Sequence, residues 1–86
     1  MFNGENGFER NIPKAIELLR ESVAFGDDMA KTNLANDLND YGVWMFDGEN
    51  GVEIDMPKAI ELFRESAVLG NETARHNLGL AGLVFE

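Results

Sequence analysis

The chain has 86 residues, 44% hydrophobic and 27% charged, which fits one small globular domain and excludes a disordered polyelectrolyte; a core of this size only just offsets chain entropy. Its 16 carboxylates against 7 lysines and arginines give a net charge of −9, which argues against nucleic-acid phosphates and anionic membranes and favours a basic partner. With no cysteine, neither a disulfide framework nor a thiolate metal site is available, and packing alone must hold the fold.

The first residues, Met1 to Glu5, have neither the basic start nor the apolar run of a secretory signal. No stretch approaches the ~20 apolar residues of a membrane span, so a cytoplasmic setting is the expectation. The first helix is predicted over 12–25: Asn11 is its N-cap, Pro13 sits in the first turn where its missing N–H costs nothing, and Gly26 stops it. Ala15, Ile16, Leu19 and Val23 share its buried face. Lys14, Glu17, Arg20 and Glu21 face water, with Glu17–Arg20 and Glu61–Arg64 at i, i+3 as the expected ion pairs.

A second helix, 28–45, starts almost at once, with Asp27 as cap and Asp28 at the positive end of the helix dipole. Ala30, Leu34, Leu38, Tyr41 and Met45 form its apolar stripe, and Gly42 is a weak point before its end. Asp47-Gly48-Glu49-Asn50-Gly51-Val52 reads as a loop tolerant of positive φ, anchored by Val52 and Phe8. A third helix, 56–69, follows Asp55 and Pro57, buries Ala59, Ile60, Phe63 and Ala67, and ends at Gly70. The fourth, 72–85, is capped by Asn71 and buries Ala74, Leu78 and Phe85, with Leu83 nearby.

These elements are one unit used twice. Laying 1–42 over 45–86 gives 20 identities in 42 pairs, with Gly4-Glu5-Asn6-Gly7 recurring as Gly48-Glu49-Asn50-Gly51 and Pro13-Lys14-Ala15-Ile16-Glu17-Leu18 as Pro57-Lys58-Ala59-Ile60-Glu61-Leu62. A period of about 44 residues indicates an all-α array of helical pairs. A single domain over 1–86 is expected, with repeat 1 at about 1–44 and repeat 2 at about 45–86.

The string Gly-Val-x-x-Asp-x-x-Lys-Ala at 51–59, followed by Gly70-Asn71-x-x-Ala74-x-x-Asn77-Leu78-Gly79, resembles the Sel-one-like repeats, relatives of the tetratricopeptide repeat. The first copy departs from the pattern with Phe8, Asn11 and Ala35 in place of Val, Asp and Gly, and 34–51 is longer than the family pattern. The resemblance implies two helix-turn-helix units stacked as a short right-handed α-solenoid, with the role of an adaptor whose concave face holds a peptide or a protein. That face would carry Met29, Thr32, Asn33, Asn36, Asn39 and Asp40 from the second helix, and Thr73, His76, Asn77 and Leu80 from the fourth. Asn33 and Asn77 recur in register, so they serve either the groove or the stacking of the repeats.

Catalysis has little to draw on. His76 is the single histidine, and the repeat places Thr32 at the same position. Asp47-x-Glu49-x-Gly51-x-Glu53-x-Asp55 alternates oxygen groups as a calcium loop does, but its glycine falls one place early and Lys58 stands where a bidentate glutamate is required. Gly-Glu-Asn-Gly is acidic where a phosphate would sit. Trp44, beside Tyr41 and Phe46, is either a core closure or a binding anchor. The expectation is therefore a non-enzymatic interaction module without cofactor or metal. The competing class is a small acidic inhibitor or immunity-type protein, or a nucleic-acid mimic, that blocks a basic partner. The ending Leu78-Gly79-Leu80-Ala81-Gly82-Leu83-Val84-Phe85 is nearly all apolar, which predicts either self-association or a fragment of a longer array.

Overall fold

The computed structural model describes residues 11–85, with side chains as far as Leu83. Four helices fill this span: α1 (Ile12–Ala24), α2 (Asp28–Asp47), α3 (Met56–Val68) and α4 (Glu72–Phe85). The chain is all-α, and its helix starts repeat at the spacing of the sequence. Asn11, Asp27, Asp55 and Asn71 each accept, through a side-chain oxygen, the backbone N–H three residues on, at 2.8–3.2 Å. Both α1 and α3 end the same way. The N–H of Asp27 donates to the carbonyl of Ser22 and that of Asn71 to Ser66, each at 3.1 Å, around left-handed Gly26 and Gly70.

Each helix packs on its chain neighbours. α2 lies between α1 and α3, α3 lies against α4, and α2 makes a smaller contact with α4, while the backbones of α1 and α3 stay apart. Ile12, Ile16, Leu34, Leu38 and Leu62 form one core cluster, with Tyr41, Trp44 and Leu69 packed at its edge. Ala59, Phe63 and Ala81 form a second, against Val43, Met45 and Phe46. Met45 belongs to the margin of both, so the two cores are continuous across α2.

Gly42 does not interrupt α2, which runs two residues past the expected end. The glycine is there for α3: a Cβ at Gly42 would lie 2.6 Å from a ring carbon of Phe63, so the backbone itself forms the seat for that ring. Beyond α2, Gly48, Asn50 and Gly51 adopt positive φ, and the N–H of Asp55 reaches back to the carbonyl of Met45 at 2.9 Å. Val52 is half-buried, as an anchor requires; Phe8 lies outside the described residues.

Several expected burials are corrected. On α3 the buried residues are Ala59, Leu62, Phe63 and Ser66, whereas Ile60 and Ala67 are only half-buried. The face is wider and rotated because α3 has α2 on one side and α4 on the other. On α4, Leu83 is 82% exposed and Ala81 is fully buried in its place, with Leu78 half-buried. At 100° per residue Ala81 returns to the side of Ala74, while Leu83 points opposite. The expected Glu17–Arg20 and Glu61–Arg64 pairs do not form. Glu17 takes Lys14 at 3.4 Å and Glu61 takes Lys58 at 4.0 Å, which leaves Arg20 to cross to Glu65 of α3 with two bonds of 2.5 and 3.0 Å.

Candidate functional site

A cleft of about 730 Å3 runs along α2, walled on one side by α1 and on the other by the start of α4. Its polar lining comes from Asn33, Asn36, Asn39 and Asp40 of α2 and Thr73 of α4, all anticipated from the sequence, together with Asp37 and Asn71. Ala15, Leu18 and Leu19 of α1 supply an apolar wall that was not anticipated. The missed wall has a physical reason: Leu18, the counterpart of buried Leu62, looks like core in one dimension yet is exposed, and Ala15 and Leu19 beside it are only half-buried.

Five of the ten anticipated residues do not line this cleft. Thr32 borders a smaller hollow with Asn36 and Thr73 at the edge of the cleft. Asn77 and Leu80 line a separate pocket of about 210 Å3 with Val43, Phe46 and Phe63. Met29 and His76 are exposed and line neither the main cleft nor these two.

The asparagines divide by hydrogen bonding. Asn39, expected to face the groove, is buried, and its carbonyl oxygen accepts from Asn77 at 3.0 Å, which ties α2 to α4. Asn36 accepts from Asn71 at 3.0 Å, while the carbonyl of Asn71 caps α4 through the N–H of Ala74 at 2.8 Å. Asn36 thus serves the helix contact with its oxygen and keeps its amide hydrogens for the cleft. Asn33 has no hydrogen-bond partner among the described residues and is exposed. The two repeated asparagines therefore differ: Asn77 holds helices together, and Asn33 is open to a ligand.

Asp37 is buried at the cleft floor although formally charged, and both it and Asp40 engage other groups of the chain. The Tyr41 and Trp44 rings meet edge to face with centroids 6.4 Å apart, and Trp44 packs against the first core cluster, so its position is structural. In the loop, the Asp47 side chain shares a hydrogen bond with Glu49 and raises the Glu49 pKa above its ordinary value, with burial and the Asp47 charge adding to the effect. Among the described residues no three histidine, cysteine, aspartate or glutamate side chains cluster as metal ligands, and no helix is long and apolar enough to cross a membrane. The chain matches no protein-family model, no curated protein and no solved structure.

Proposed function

We propose that this chain is a non-enzymatic interaction module in which two Sel-one-like repeats stack as a short right-handed α-solenoid and present the α2 cleft to an extended peptide or a protein loop. The cleft itself carries the reading. It joins an apolar wall at Leu18 and Leu19 to amides at Asn33 and Asn36, the combination that takes up a side chain on one edge and a peptide backbone on the other. A primary amide offers both a donor and an acceptor, so it pairs with a backbone N–H and C=O without regard to sequence. Asp37 and Asp40 within it and the net charge of −9 favour a basic or neutral ligand over an acidic one. A soluble cytoplasmic adaptor is the setting that fits this composition.

Selection of a displayed random-peptide library on the purified chain tests the reading. Enriched peptides are expected to lose about tenfold in affinity, about 1.4 kcal/mol, against Asn33→Ala or Thr73→Ala. Asn33 is the better probe than Asn36, whose loss also releases Asn71. Peptides that bind both variants as well as the parent chain place the site elsewhere. Affinity that collapses with added salt and ignores both variants supports the acidic-inhibitor class instead.

A further inference from the structure

The α3 half of the contact between the two hairpins recurs in sequence on α1, more exposed, and α4 stands in the second repeat where α2 supplies the other half. On one side the contact consists of Ala59, Leu62 and Ser66 of α3, buried against α2, with Glu65 reaching Arg20. Forty-four residues earlier, α1 carries Ala15, Leu18, Ser22 and Glu21 in the same register. There Leu18 is 52% exposed where Leu62 is 6%, and Phe25 is 90% exposed where Leu69 packs on the core. On the other side, the carbonyl of buried Ala35 accepts the Ser66 hydroxyl at 2.5 Å. Its counterpart Gly79 is exposed, and a Cβ there would find no neighbour within 4 Å.

The charges repeat as well. Arg64 is the counterpart of Arg20 and Glu21 that of Glu65, and neither has an ion partner among the described residues. One end of the molecule thus holds the arginine and the other the glutamate of a pair that is already made once inside. From residue 79 on, α4 departs from α2: Gly79, Leu80, Ala81, Gly82 and Leu83 stand where α2 has Ala35, Asn36, Asp37, Leu38 and Asn39. Leu80 and Leu83, 46% and 82% exposed, stand where Asn36 and Asn39 form the amide clasp, so the outer face of α4 is apolar.

We propose that the occupant of this face is a second copy of the chain, whose α1 packs on α4 as α3 packs on α2. Arg64 of one copy then holds Glu21 of the next, and the Ser22 hydroxyl donates to the Gly79 carbonyl. The contact joins unlike ends, so copies add head to tail and do not close as a two-fold dimer. It rests on the stacking of hairpins in the reading above and not on the peptide cleft, although Ala15 and Leu18 border both and assembly narrows the cleft at that edge.

Light scattering across a concentration series, in about 0.15 M salt where screening over ~8 Å dulls the repulsion between acidic copies, tests the proposal. The mass of the parent chain is expected to rise above 9.5 kDa with concentration. Glu21→Arg and Arg64→Glu, both at exposed positions, each set like charges against each other and stay at monomer mass. An equimolar mixture of the two regains growth, because the reversed group of one meets the reversed group of the other. Gly79→Leu keeps its helical circular dichroism and loses growth, since the equivalent Ala35 has no spare room. A parent chain monomeric throughout, or single variants that fail to be rescued by mixing, overturns the proposal. Neither Glu21 nor Arg64 lines the cleft, so peptide selection that succeeds on a monomeric parent sinks this proposal alone, and assembly without peptide enrichment sinks the cleft alone.

Discussion

α1 and α3 are 13 residues each, and 9 of those positions are identical, yet the two helices live in different surroundings. α3 is covered by α2 on one flank and α4 on another, and it buries Ala59, Leu62, Phe63 and Ser66. The α1 backbone approaches only that of α2, its side chains reach α3 at Leu62 and Glu65, and it buries Ile12 and Ile16. The same leucine is therefore core in one copy and surface in the other, as Leu62 and Leu18 show. In a repeated chain the helix sequence sets the local structure, including caps and stops, but the neighbours decide what each side chain contributes to stability.

Matched truncations should expose that difference most strongly. Phe63→Ala is expected to cost ~3–5 kcal/mol and Leu62→Ala ~2–5 kcal/mol, because each leaves a hole at the α2–α3 contact. Leu18→Ala, at an exposed site, should fall below ~0.5 kcal/mol. Urea unfolding of the paired variants measures the gap. Equal losses in the two copies would mean that the stability of the molecule does not reside between the hairpins.

Glycines at the same contact give the next largest effect, with opposite signs. Gly42→Ala drives a methyl into the Phe63 ring and should destabilise by ~1–3 kcal/mol, despite the better helix propensity of alanine. Gly79→Ala meets open space and should stabilise α4 by ~0.5–1 kcal/mol. Thermal melting at low protein concentration reads both. A neutral Gly42→Ala would show that the ring moves aside readily, and the tight seat would then be no constraint on α2.

How much of this was legible in one dimension follows from what each feature depends on. The caps at Asn11, Asp27, Asp55 and Asn71, the stops at Gly26 and Gly70 and the positive-φ loop depend on a few consecutive residues, and they are found where the sequence puts them. Ile16, Leu34 and Leu38 follow the helical period of their own helices, but α2, lying between α1 and α3, also buries Ala35, Asp37 and Gly42 outside the expected stripe. Ser66 and Asn39 depend on two neighbouring helices. Nothing local distinguishes Ser66 from Ser22, and only the arrival of α2 turns the first into a buried donor to the Ala35 carbonyl. Asn39 likewise reads as a groove residue until Asn77 of α4 reaches it. Half of the anticipated site residues line one cleft because α2 faces it continuously. Those on α4 scattered because a helix passing over α3 turns Asn77 and Leu80 towards Phe63 and leaves His76 in solvent.

The smallest expected effect separates the two arginines. Arg20 holds Glu65 with both guanidinium nitrogens across the gap between α1 and α3, whose backbones do not otherwise meet. That geometry is the favourable bidentate kind, but Arg20 is half exposed and Glu65 more than a third, so solvent screening keeps its worth within ~0–1 kcal/mol. Arg20→Ala should therefore lower stability by about 0.5 kcal/mol at low ionic strength and by less as salt is raised. Arg64→Ala, lacking a partner in the described part of the same chain, should do nothing to a monomer at any salt. The difference between the two variants, followed by urea unfolding at two salt concentrations, isolates the bridge from the general effect of removing a positive charge from an acidic protein. If Arg64→Ala costs as much as Arg20→Ala, the loss comes from net charge and the bridge holds nothing. If only Arg20→Ala responds, and its response fades with salt, the two hairpins are fastened at their outer edge as well as through the core, a fastening that Arg64 does not make among the described residues.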